Sequence, residues 1–130
     1  MSLAFDTSIL VEIEKKNETI IRELEHLSRI YPLPAQLPFM SYFEFLIGLK
    51  KRRPKRYNEL IEFLNNFNIL QTTNKTADIL SDLKIKYDLQ GIVLSLTDLM
   101  IASQIIENHL TLVTKDKDFE NINELKKIIL

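Results

Sequence analysis

Two aspartates stand directly after segments that read as β-strands. Asp6 follows Leu3-Ala4-Phe5, and Asp116 follows the apolar run Leu110 to Val113 after only Thr114 and Lys115. In an open parallel α/β sheet, ligands collect beyond the carboxyl ends of the strands, so both acids are expected at one functional edge. Glu44 and Asp98 each fall in the first turn of a predicted helix, and they face the same edge if those helices begin beside it. Four converging carboxylates repel one another, by roughly 4 kcal/mol for two unit charges about 4 Å apart at an effective dielectric of 20. A hard divalent cation offsets that repulsion. Oxygen donors without His or Cys suit Mg2+ or Mn2+, and a Mg2+ ion held by a few carboxylates keeps waters that exchange for phosphate oxygens. The chemistry implied is phosphodiester hydrolysis, in which the metal orients water, lowers its pKa and neutralises charge on the scissile phosphate.

Each acid also has a purely structural reading. Ser41-Tyr42-Phe43-Glu44 and Ser95-Leu96-Thr97-Asp98 both match the capping-box pattern, in which the acid reciprocates the Ser at the helix start. Asp6 can complement the dipole of the first helix, and Asp116 with Asp118 can form a polar turn.

The remaining composition excludes several other chemistries. The chain has 130 residues, 45% hydrophobic and 27% charged, with 17 Lys plus Arg against 18 Asp plus Glu, the balance of one soluble globular domain over 1–130. With no Cys there is no disulfide scaffold, thiolate nucleophile or Cys-ligated zinc. Gly48 and Gly91 are the only glycines, too few for a phosphate-cradling loop, and His26 and His109 lie far apart outside any HExxH pattern. The first residues are apolar for too short a stretch to be a signal peptide, and no apolar run reaches the roughly 18 residues of a membrane span. The expectation is a soluble, cytoplasmic protein.

The elements that must position the acids are legible from apolar periodicity and breakers. A strand at Leu3 to Phe5 leads into a helix capped by Thr7 or Ser8; a second helix runs from Glu18 to Ile30, and Pro32, Pro34 and Pro38 then exclude helix. Leu37 to Met40 is expected as a short strand, followed by helices from Ser41 to about Arg52 and from Pro54 to about Asn66. A strand at Asn68 to Gln71, a helix from Lys75 to Tyr87, a helix capped by Ser95, a strand at Leu110 to Val113 and an apolar run at Ile128 to Leu130 complete the series. Strands separated by helices predict a mostly parallel sheet covered on both faces.

The order and wording of four pieces carry more than any acid alone. Phe5-Asp6-Thr7-Ser8-Ile9-Leu10, Ser41-Tyr42-Phe43-Glu44-Phe45, Thr97-Asp98-Leu99-Met100-Ile101-Ala102 and Leu112-Val113-Thr114-Lys115-Asp116-Lys117-Asp118-Phe119 resemble the PIN-domain family, and more narrowly the VapC-type ribonuclease toxins of VapBC toxin/antitoxin pairs. The resemblance spans essentially the whole chain. It implies a three-layer α/β/α fold with a mostly parallel central sheet of four to five strands. It implies a Mg2+ or Mn2+ site formed by Asp6, Glu44, Asp98 and Asp116, with Thr7 or Ser8 as the hydroxyl beside the first acid and Thr114 facing the site. Asp118 matches the pattern too, as a structural or edge residue, and either Asp116 or Asp118 is the fourth acid. The implied activity is endoribonucleolytic, leaving 5′-phosphate and 3′-hydroxyl ends, and the implied partners are an RNA substrate, a VapB-type antitoxin and a second copy of the chain.

Six basic residues crowd positions 50–56, leaving 11 elsewhere against 18 acids, a balance of −7 for the rest of the molecule. Such polarity can steer RNA phosphates toward an acidic edge, which nominates Lys51, Arg52, Arg53 and Lys55 as RNA-binding residues; a solvated helix junction is the structural alternative. Ile61, Phe63, Leu64 and Phe67 are nominated for a homodimer face, with burial in the core as their alternative. Two other functional readings remain in view, and a third is excluded. A PIN nuclease of RNA processing needs no antitoxin, a PIN-like scaffold binds no metal, and a phosphoacceptor receiver needs an Asp after its middle strand, where Ile69 to Thr73 offers none.

Overall fold

Leu3, Ala4 and Phe5 form a strand buried on both faces: Leu3 and Phe5 enter one apolar core and Ala4 the other. The computed structural model describes residues 2–130. In chain order the elements are β1 (Leu3–Phe5), α1 (Thr7–Glu14), α2 (Glu18–Ile30), β2 (Gln36–Leu37), α3 (Phe39–Arg52), α4 (Tyr57–Asn65), β3 (Asn68–Ile69), α5 (Asn74–Leu89), α6 (Leu96–Glu107), β4 (Thr111–Thr114) and β5 (Lys127–Ile129), with a 3-10 turn at Lys117–Asn121. The five strands make one sheet in the order β3-β2-β1-β4-β5, and every pairing is parallel. This is the expected α/β/α arrangement.

Two cores sandwich the sheet. On one face Ile9 and Leu10 of α1, Leu27 of α2, Phe45 and Leu49 of α3, and Leu60 and Leu64 of α4 pack on Leu3, Phe5, Leu37 and Val113. On the other, Leu83 and Tyr87 of α5 and Leu99, Ile101 and Ile105 of α6 pack on Ala4 and Leu112. Each of these side chains contributes roughly 1.5–3 kcal/mol by leaving water. The chain lays down β1, β2 and β3 outward on one side, then returns to place β4 on the other side of β1. The direction of winding therefore reverses between β1 and β4, and the crevice beyond their carboxyl ends is where such sheets bind ligands.

Several boundaries differ from the sequence expectation for local reasons. Asp6, not Thr7 or Ser8, is the residue before α1, and its side chain accepts from the Ile9 N–H. The second strand ends at Leu37 because Pro38, without an N–H, closes the pairing and opens α3 at Phe39. Arg53 takes a left-handed conformation (φ 47) that ends α3, and Pro54 begins a turn, its carbonyl accepting from Tyr57 N–H, so α4 starts three residues later than expected. Among the described residues no helix is long and apolar enough to cross a membrane.

Candidate metal centre

The register of the two central strands pairs Phe5 with Val113, so the next residues, Asp6 and Thr114, emerge side by side at the switch point. Asp6 is buried there, 5% exposed, and saturated with donors. The Ser8 hydroxyl donates to Oδ1 at 2.5 Å and the Thr114 hydroxyl to Oδ2 at 2.6 Å, while Ile9 N–H approaches Oδ1 at 3.4 Å. The two hydroxyls are themselves held: Lys115 N–H donates to Ser8 Oγ and Asp116 N–H to Thr114 Oγ1, each at 2.9 Å. Burial pushes the Asp6 carboxyl above its ordinary range, opposed by the Ser8 and Thr114 hydroxyls and the Ile9 amide, and reinforced by the charge of Asp116.

Asp116 caps the 3-10 turn, accepting from Asp118 N–H at 2.9 Å. That turn brings Asp118 back toward α6, and one carboxylate oxygen each of Asp98, Asp116 and Asp118 lies within 4.8 Å of the others. Asp98 sits in the first turn of α6, whose cap Ser95 accepts from Asp98 N–H at 3.0 Å. Burial raises the Asp98 carboxyl; the Ser95 hydroxyl opposes this, and the charges of Asp116, Asp118 and Glu44 raise it further. Those couplings place Glu44 in the same field. Its carboxylate is exposed and accepts from the Thr7 hydroxyl at 3.0 Å.

The arrangement therefore gathers Asp98, Asp116 and Asp118 tightly, with Asp6 and Glu44 adjoining. Of the two hydroxyls left open by sequence, Ser8 goes to Asp6, where Thr114 joins it, and Thr7 goes to Glu44. The capping-box reading of Glu44 is corrected: α3 begins at Phe39, Ser41 lies inside the helix, and its buried hydroxyl has no hydrogen-bond partner. Asp118 joins Asp116 instead of competing with it, and the signal was the Asp-x-Asp spacing after β4. The clustered groups offer carboxylate oxygens and neither His nor Cys, and three of them lie within 4.8 Å of one another, so these residues fit a hard cation.

The basic segment is less free than its sequence suggests. Arg52 is committed to a bidentate pair with Glu14, both bonds at 2.9 Å, Arg56 pairs with Glu59, and the Arg53 guanidinium lies 4.5 Å from the centre of the Tyr57 ring. Lys51 and Lys55 project into solvent. Of the residues nominated for a homodimer face, Leu64 is fully buried, while Ile61, Phe63 and Phe67 are partly buried and pack against the core around it.

Residues 3–125 match the family model described as PIN domain. Ribonuclease VapC2 of Rickettsia felis is 26% identical over 129 residues, covering 98% of this chain and 92% of its own. The crystal structure of VapBC2 from Rickettsia felis, bound to a DNA fragment from their promoter, is similar with a TM-score of 0.86 at 24% identity, covering 100% of this chain and 99% of that one. DNA-bound VapBC from Salmonella typhimurium gives 0.81 at 22% identity, covering 99% and 98%.

Proposed function

This chain belongs to the PIN-domain family, and from that premise we propose that it is a Mg2+- or Mn2+-dependent endoribonuclease of the VapC type, a single nuclease domain over residues 1–130 restrained by a small VapB-type antitoxin. The observation that carries the reading is the convergence of Asp98, Asp116 and Asp118 at the switch point beside Asp6 and Glu44. Asp6, Glu44, Asp98 and Asp116, joined by Asp118, would hold the ion. When bound, the ion supplies charge neutralisation at the scissile phosphate and a water of lowered pKa.

The chain's own residues do the positioning. The Ser8 and Thr114 hydroxyls fix both oxygens of Asp6, so that its carboxylate cannot rotate away from the crevice. Thr7 holds Glu44 across the gap between α1 and α3. Lys51 and Lys55 supply mobile positive charge for the RNA backbone, while Arg52 acts through its pair with Glu14, tying the end of α3 to the end of α1. The kinship to proteins solved as VapBC pairs supports an antitoxin. So does Leu96, 62% exposed at the start of α6 and two residues before Asp98, which gives such a partner an apolar anchor. A PIN nuclease of RNA processing would use the same centre without that partner, and an antitoxin-sized reading frame immediately upstream separates the two.

The test is cleavage of mixed structured RNAs in Mg2+ or Mn2+ against EDTA, comparing wild type with Asp98→Asn. Activity is expected only with metal and only in wild type. Cleavage that survives both EDTA and the substitution removes the metal mechanism, and calorimetry showing no Mn2+ uptake by wild type returns the chain to a scaffold.

A further inference from the structure

The acids of the centre ride on helices rooted in different cores. Glu44 belongs to α3, whose Phe45 and Leu49 lie in one apolar cluster while only the partly buried Met40 reaches the other, and Asp98 to α6, whose Leu99, Ile101 and Ile105 lie in that other cluster. Neither core alone sets the offset between those two carboxylates. Gln104, on α6 six residues after Asp98, is fully buried, and its amide is paired at both ends across element boundaries. Its Oε1 accepts from the N–H of Phe39, the first residue of α3, at 2.9 Å, and its Nε2 donates to the carbonyl of Leu70, just beyond β3, at 3.1 Å. Pro38, the residue before α3, makes no side-chain cap, so α6 provides from a distance the acceptor that the start of α3 lacks.

A buried amide is costly unless it is paired, and a leucine or methionine would fill this space without that risk. What an apolar residue cannot do is fix a direction and a length. We propose that Gln104 is a positioning residue of the metal centre: by capping α3 from α6 and anchoring to Leu70, it sets the distance between Glu44 and Asp98. The inference rests on the reading of these acids as a metal site. Glu44 stands five residues beyond Phe39, about 7.5 Å along the helix axis at 1.5 Å per residue, so a shift or fraying of the first turn of α3 is carried to its carboxylate.

The test is Mn2+ affinity by calorimetry on the full chain, with amide exchange at Phe39 as a readout independent of metal. Glu44→Gln should weaken Mn2+ binding, and Gln104→Leu should weaken it by at most about tenfold, the low end for loss of a group bonded directly to a ligand, since Gln104 reaches Glu44 only through the start of α3, while exchange at Phe39 accelerates. Gln104→Glu, buried and so favoured in its neutral form, keeps an acceptor for Phe39 N–H and an O–H donor for the Leu70 carbonyl, and should lie closer to wild type than Gln104→Leu. In Glu44→Gln/Gln104→Leu the second change should add little, because the two act through one carboxylate. Leu83→Ala, a core truncation on α5, should lower stability and leave Mn2+ affinity unchanged. Should Gln104→Leu fail to fold, Gln104→Asn, one methylene short of spanning both partners, carries the same expectation.

Wild-type Mn2+ affinity in a folded Gln104→Leu or Gln104→Asn protein, beside a weakened Glu44→Gln, overturns the positioning role and leaves the metal centre standing. Full additivity in the double variant, or an equal loss in Leu83→Ala, overturns it as well. Absence of Mn2+ binding by wild type brings down the metal centre and this inference together.

Discussion

Asp6 holds two positions at once, as the residue that opens α1 and as the buried acid between β1 and β4. The two roles make opposite demands on its charge. As a cap and dipole partner the carboxylate is favourable, but burial raises its pKa, which means that folding works against its charged form. Its long bond to Ile9 N–H, 3.4 Å, against the short bonds from Ser8 and Thr114, says that the crevice role dominates. Asp6→Asn should therefore abolish activity while leaving the metal-free protein as stable or more so, by on the order of 0.5–2 kcal/mol, as expected where function is held at the expense of stability. A few degrees in thermal melts in EDTA would show it, and Mg2+ should stabilise wild type more than the variant by mass action. The sign with pH follows from linkage: a carboxyl whose folded pKa is raised contributes stability below its unfolded value, and that contribution is lost as pH rises through the folded value. In EDTA the advantage of Asp6→Asn should accordingly widen from about pH 4 to about pH 7. Glu12 and Glu59, lowered by hydrogen bonds from Asn17 and Arg56, act in the opposite direction, but they are common to both proteins and cancel in the difference. An advantage that shrinks over that interval would return Asp6 to a capping residue.

At the scale of elements, the strand ends were legible because a strand buried on both faces reads as an unbroken apolar run, and the residue after it is where polarity resumes. Asp6 and Asp116 needed nothing more. The start of α3 was not legible, because Ser41 offers a better local cap than Pro38, yet tertiary contacts decided: Phe39 N–H reaches Gln104, 65 positions away, and Ser41 is drawn into the interior. Gln104 itself gives no signal in sequence, since a glutamine on an apolar helix face has no periodicity that marks it as paired. Likewise the run at 50–56 reads as uniform positive charge, whereas its partners Glu14 and Glu59 lie on α1 and α4. That division yields a prediction. Lys51→Gln with Lys55→Gln should weaken single-stranded RNA binding and reduce the slope of log affinity against log salt by up to roughly 0.7 per lost phosphate contact, with the melting temperature unchanged. Arg52→Gln should instead lower stability, because it leaves Glu14, whose side chain is only 15% exposed, without its partner. Equal salt slopes for the lysine variant and wild type would make the segment a solvated junction.

For the whole molecule, the apolar surface left over by the two cores nominates a face for the proposed homodimer. Phe39, Phe43 and Ile47 are 43%, 44% and 38% exposed and recur every four residues along α3, which puts them on one face of that helix. Single exposed apolar residues are ordinary, but a stripe on one helix face is a docking surface by the logic that keeps such patches small on monomers. It adds to the face nominated at Ile61 to Phe67, of which the core takes Leu64 fully and Ile61, Phe63 and Phe67 in part. A self-complementary stripe on one helix suits a two-fold dimer, in which the same patch serves both copies. Light scattering at micromolar concentration should then give twice 15.3 kDa, and Phe39→Ser with Ile47→Ser should return the mass to that of one chain. Because both side chains are substantially solvated in the isolated chain, that double variant should fold, and its melting temperature should become independent of concentration while that of wild type rises with it. A wild-type mass of one chain would assign the stripe to the antitoxin alone, in which case the same double variant should lose antitoxin binding.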